Sequence, residues 1–93
     1  MTEASTITFD SDGLIPAIVQ DAETREVLVL AWMNREALDR TLATGRITFW
    51  SRSRGELWEK GATSGNTLTA VSVRFNCEGN SLLVLAHPAG PTC

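Results

Sequence analysis

TLTAVSVRFNCEGNSLLVLA, Thr67 to Ala86, decides the fold. Thr67–Phe75 alternates with period two. Val71, Val73 and Phe75 fall on one face and Ser72 and Arg74 on the other, the pattern of a half-buried strand. Glu78–Ser81 is a polar turn around Gly79, and Leu82–Ala86 is apolar enough for the return strand. If the strand continues past Phe75, Asn76 and Glu78 point to one face and Cys77 to the other. A thiolate would then reach one metal while oxygen donors face another; thiolate suits zinc, and carboxylate or amide oxygen suits magnesium. The plainer readings stand beside this one. A lone strand cysteine is usually a small buried hydrophobe. Cys77 and Cys93 lie 16 residues apart, which is no zinc-finger spacing.

Working back toward the N-terminus, LIPAIVQD (Leu14–Asp21) is β-rich and bounded by SDG and DAETRE, a strand followed by a turn. EVLVLAWM (Glu26–Met33) is nearly continuous in apolar residues, which predicts a central buried strand forming a hairpin with the first. NREALDRTLATG (Asn34–Gly45) predicts the one helix. Asn34 can cap it, Glu36 sits favourably in the first turn, Leu38 and Leu42 share a face, and Gly45 suits the left-handed position after the last turn. RITFWS (Arg46–Ser51) returns to strand, and the chain turns at Gly55. KGATSGN (Lys60–Asn66) is a loop. The fold class is α+β, mainly antiparallel sheet with one short helix.

The stretch WSRSRGELWEKGATSGN packs Arg52, Arg54 and Lys60 among Ser51, Ser53, Ser64 and glycines. Arginine forks and hydroxyls suit a phosphate ester. A solvated loop balanced by Glu56 and Glu59 is the alternative, and no P-loop or dinucleotide fingerprint is present. Trp32 follows an apolar strand and reads as core. Trp50 and Trp58 flank the basic stretch, where core packing is again the simpler role. His87, the only histidine, reads as a surface residue.

Ninety-three residues make one domain, and a chain this short often gains stability from a metal or a partner subunit. A net charge of -3 argues against a polyanion-binding role. No run approaches the ~20 apolar residues of a membrane span. The N-terminus lacks the pattern of a secretion signal, which points to the cytoplasm, where two cysteines are free, catalytic or metal-bound rather than bridged.

Taken together, LIPAIVQDAETREVLVLAWMNREAL, TFWSRSRGELWEKGATSGN and LLVLAHPAGPTC resemble phosphoribosyl-AMP cyclohydrolase, over Asp12 to Cys93. The form with SGN and HPAGPTC looks most like the cyclohydrolase half of bifunctional enzymes, in which a phosphoribosyl-ATP pyrophosphohydrolase domain follows. The resemblance implies hydrolytic opening of the adenine ring of 1-(5-phosphoribosyl)-AMP between N1 and C6, in histidine biosynthesis. It implies a homodimer with the active site at the subunit interface, and one zinc and one magnesium per site. In the family an Asp-Cys-Asp-x-Asp hairpin binds zinc through its Cys and magnesium through its three Asp. Those positions here are Asn76, Cys77, Glu78 and Asn80. Cys93 matches a second zinc-binding Cys; the catalytic His and the last Cys of the pattern have no counterpart in residues 1–93. The expectation is a cyclohydrolase-like domain over 1–93 that lacks the C-terminal part of its metal site. Arg52, Arg54 and Lys60 would bind the two phosphates, with Ser51, Ser53 and Ser64 assisting. The alternative is a catalytically impaired relative that binds nucleotide phosphate without turnover.

Overall fold

In the computed structural model, which describes residues 7–61, 65 and 67–89, six strands and one helix follow in the order β1 (Ile15–Asp21), β2 (Val27–Met33), α1 (Arg35–Thr44), β3 (Thr48–Ser51), β4 (Glu56–Glu59), β5 (Leu68–Phe75) and β6 (Leu82–Pro88). Asp10 organises the entry to β1. Its carboxylate accepts from the backbone N–H groups of Asp12 and Leu14, both at 2.9 Å, and leaves the chain extended at Ile15. The helix begins where Asn34 Oδ1 accepts from the Ala37 N–H at 2.8 Å. It ends at Gly45, whose φ of 76° lets its N–H reach the Thr41 carbonyl.

The main sheet has the order β2-β1-β6-β5. The hairpins β1–β2 and β5–β6 are antiparallel, as their short turns require. They join through a parallel pairing of β1 with β6, Ala17 beside Leu82 and Val19 beside Val84. The sheet is therefore mixed, not purely antiparallel. The long excursion through α1 and the β3–β4 hairpin supplies the crossover that a parallel pair needs.

One face of this sheet is the core. Ile15, Ala17 and Val19 of β1 share it with Met33, Leu82 and Val84, and it is capped by Ala37 and Leu38 of α1 and by Ile47 and Phe49. Each large side chain buried here contributes about 1.5–3 kcal/mol. The β3–β4 hairpin forms a separate two-stranded sheet: Ile47 N–H donates to the Leu68 carbonyl, and Trp58 packs against Phe49 with ring centroids 5.0 Å apart.

Two expectations change here. β2 is an edge strand, not a central one, and Val27 and Leu30 are 62% and 63% exposed. Its continuous apolar character comes from a second, outward face that is apolar too. The alternation of β5 is also broken. A bulge between Ala70 and Ser72 leaves Val71 without a pairing partner, 49% exposed, while Val73 is 3% exposed. Val71 and Val73 thus do not share the core face.

Candidate functional site

The tip of the β3–β4 hairpin is built from the basic stretch. Ser51 pairs with Glu56, and residues 52–55 turn between them, with Gly55 at φ 65° in the left-handed region that glycine accepts without strain. Ser51 Oγ accepts from the Arg54 backbone N–H at 3.2 Å and from Arg54 Nε at 3.4 Å, and it lies 3.4 Å from Ser53 Oγ. Arg54 is also 3.5 Å from Glu56, an exposed pair that partly neutralises it. Arg52 behaves differently. Its guanidinium carbon sits 4.6 Å from the centre of the Trp32 ring, on β2. Lys60 lies beyond the far end of β4, ~13 Å along the strand from Glu56 at ~3.3 Å per residue. It is thus separated from Arg52 and Arg54 and stands 6.0 Å from the Trp58 ring. Ser64 lies outside the described residues.

Trp32 is not core. It pairs with Pro16 across the β1–β2 register, while their neighbours Ile15 and Met33 are fully buried, so Trp32 occupies the outer face of the sheet. Nothing in β2 alone signals this, because residues on both of its faces are apolar.

The Asn76–Ser81 turn is tighter than an extended strand. β5 stops at Phe75, and the chain reverses at once, with Asn76 N–H donating to the Ser81 carbonyl and Gly79 N–H to the Asn76 carbonyl. The expected alternation of Asn76 and Glu78 against Cys77 therefore does not hold. Asn76 Oδ1 accepts from the backbone N–H groups of Asn80 (2.9 Å) and Ser81 (3.2 Å). Asn76 Nδ2 donates to Asn80 Oδ1 at 2.6 Å, and Asn80 Nδ2 donates to Glu78 Oε2 at 3.4 Å. Thr8 N–H pins the turn from outside by donating to the Gly79 carbonyl. The side chains of Asn76, Glu78 and Asn80 are joined by hydrogen bonds, with one carboxylate among them, and both amide oxygens already accept hydrogen bonds within the turn. Cys77 is exposed rather than buried as a small hydrophobe, so its sulfur is accessible to a metal ion. Among the described residues no three His, Cys, Asp or Glu side chains lie close enough to hold a metal together. Cys93 lies outside the described residues.

The topology brings these pieces to one place. Because β6 runs parallel to β1, the start of β6 lies beside the start of β1 and hence beside the end of β2. The Cys77 turn and the Trp32–Arg52 pair thus occupy the same end of the sheet, β2 and β6 lying two strand spacings apart, ~10 Å. Beside the Asn76–Ser81 turn a cavity of about 380 Å³ is lined by Ile18, Leu83 and Arg74 of the outer face and by Phe75, Asn76, Ser81 and Leu82. That volume suits a small organic ligand. Arg74 was not singled out by sequence reasoning, since a charged residue on the polar face of an alternating strand looks like ordinary surface. His87 is at the opposite end of the sheet, exposed and 4.0 Å from Glu23, clear of this region.

A family model, "Phosphoribosyl-AMP cyclohydrolase", matches residues 29–93. A phosphoribosyl-AMP cyclohydrolase of Thermobifida fusca is 61% identical over 82 residues, covering 88% of this chain and 71% of that protein. One from Roseobacter denitrificans is 56% identical over 87 residues, 94% of this chain and 68% of that protein. The histidine biosynthesis bifunctional protein HisIE of Halalkalibacterium halodurans is 54% identical over 87 residues, 94% of this chain but 41% of that longer protein. The chain thus spans less than half the length of the bifunctional relative.

Proposed function

The chain belongs to the phosphoribosyl-AMP cyclohydrolase family, and from that premise we propose that it opens the adenine ring of 1-(5-phosphoribosyl)-AMP by hydrolysis, in the cytoplasmic pathway to histidine. The observation that carries the reading is the convergence of a basic hairpin tip and a thiol- and oxygen-bearing turn at one end of the sheet, with a cavity beside the turn. A ligand with phosphate at its extremities and a reactive ring between them fits that layout.

The ribosyl group on N1 makes C6 electron-poor. A water oxygen bonds to C6, the N1–C6 bond breaks, N1 keeps the electron pair and takes a proton, and C6 becomes a carboxamide. Arg52, Arg54 and Lys60 would hold the two phosphates, with Ser51, Ser53 and Ser64 adding hydroxyl donors. The distance of Lys60 from the tip suits it to a different phosphate from Arg52. Cys77 and Cys93 would hold zinc, whose chemistry when bound is to lower the pKa of water toward ~7. Asn76, Glu78 and Asn80 would take magnesium, more weakly than three carboxylates would.

A second copy of the chain would complete the site. The outer face that carries Trp32 also exposes Val27, Leu30 and Ile18, an apolar surface that a homodimer would cover.

The test is a spectroscopic assay for ring opening with Zn²⁺ and Mg²⁺ supplied, alongside metal analysis. Turnover that falls to background in Cys77→Ala, with its zinc content, is the expected result. Because the thiol is exposed, that substitution should leave stability within about 0.5 kcal/mol. A metal-loaded protein that binds nucleotide without turnover overturns the catalytic reading, and unchanged zinc in Cys77→Ala removes Cys77 as a ligand.

A further inference from the structure

Among the hairpin's cations, Arg52 stands apart. Arg54 lies 3.5 Å from Glu56, and Arg46 lies 3.4 Å from Glu59. No ion pair among the described residues involves Arg52. Its guanidinium instead sits 4.6 Å from the centre of the Trp32 ring, well inside the ~6 Å range of a cation–π contact. This partnership has a chemical consequence. A carboxylate would occupy the N–H edge of the guanidinium and cancel its charge. An aromatic ring engages the cation without accepting those edge hydrogen bonds, so charge and donors remain for an oxyanion. The ring is itself fixed. Trp32 is half-buried, on a strand whose register is set by the Pro16 pairing and by the fully buried neighbouring pair of Ile15 and Met33. The four-residue tip is thereby tied to the main sheet.

We propose that Trp32 is the positioning residue for Arg52: its indole holds the guanidinium at the sheet end nearest the Cys77 turn, with its hydrogen-bonding edge free for the phosphate of a nucleotide. The inference rests on the nucleotide-phosphate reading of the hairpin but not on turnover. Trp32 touches the arginine and acts through it.

The experiment is a double-mutant cycle on equilibrium binding, with AMP as the probe and adenosine as its phosphate-free control, measured by calorimetry on the wild type, Trp32→Leu, Arg52→Gln and the double variant. Loss of a charge-assisted phosphate contact in Arg52→Gln should weaken AMP about tenfold or more. Loss of the ring in Trp32→Leu should weaken it about three- to fivefold, with Trp32→Phe between that and wild type. The double variant should bind AMP no worse than Arg52→Gln alone, because the ring has nothing left to position. Adenosine affinity should be the same in all five proteins. Losses that multiply in the double variant, an equal weakening of adenosine, AMP affinity unchanged in Trp32→Leu, or no AMP binding by the wild type would each overturn the proposal. Ring opening is scored separately, so an inactive protein that passes this cycle sinks the catalytic reading and leaves the positioning role standing.

Discussion

The Thr41 hydroxyl joins the helix to the strand that follows it. It is 1% exposed, donates to the Ala37 carbonyl at 2.9 Å, and accepts from the Thr48 backbone N–H at 3.0 Å. That N–H opens β3 and is buried with it, so the hydroxyl is the group that keeps a strand-initiating donor satisfied. Thr41→Val preserves shape and removes the acceptor. The abandoned amide costs about 1–3 kcal/mol, which for a domain of this size corresponds to a fall of ~4–8 °C in Tm per kcal/mol. Thr41→Ser keeps the oxygen and should lose much less than Thr41→Val. Thermal melts of the three proteins by circular dichroism check this. A Thr41→Ser loss larger than the Thr41→Val loss would show that the methyl packing, not the hydrogen bond, is what Thr41 contributes.

At the scale of the elements, turns carry their own chemistry, and the β1–β2 turn titrates. Asp21 accepts from the backbone N–H groups of Glu23 at 2.8 Å and Thr24 at 3.2 Å. These bonds favour the carboxylate and hold its pKa below the ordinary aspartate value, with the nearby His87 adding to the effect. A folded-state pKa below the unfolded one means that the contribution is complete above ~pH 4 and is lost as pH falls through the depressed value. Asp21→Asn keeps an oxygen acceptor but not the charge. The Tm advantage of the wild type over Asp21→Asn should therefore be present at about pH 5 and shrink below ~4. A difference that is flat, or grows, toward acid would contradict the assignment. The same turn was legible as a break between two apolar runs, and so were the helix caps Asn34 and Gly45, because each is a local pattern within a few residues. The edge position of β2 was not legible. It depends on β6 inserting beside β1 from more than 60 residues away, and an apolar run reads alike whether its second face meets a protein core or the surface. The Val71 bulge likewise left no mark in an alternation that looked regular. Of the site, the residue types of Ser51–Arg54 and the Cys77 turn could be read directly, while their meeting at one end of the sheet came from the parallel pairing. The Trp32 contact was hidden for the same reason.

For the molecule as a whole, the outer face is the unfinished surface. Ile18, Leu30 and Leu83 lie side by side across three strands, since Ile18 pairs with both of the others, and Val27, farther along β2, is exposed as well. Leaving such a patch in water forgoes about 25 cal/mol per Å² of apolar area that a partner would cover. A β2 edge without charged side chains between Val27 and Met33 also lacks the usual protection against pairing with another strand. A homodimer using this face would bring the Cys77 turn and the Arg52 tip of each copy close to the junction. Leu30→Lys and Ile18→Lys each place a charge in the middle of that row without touching the buried face. Sedimentation velocity at micromolar concentration should show a dimer for the wild type and a monomer for both variants, with circular dichroism unchanged because neither side chain belongs to the core cluster. A stable interface of ~800 Å² per partner should lose its affinity when one central leucine becomes a lysine, as a desolvated unpaired charge costs several kcal/mol. Should both variants remain dimeric, the copies meet through another surface and the metal site is not shared across this face. A monomeric wild type would instead leave the outer face to a different partner, and any turnover would have to come from ligands within a single chain.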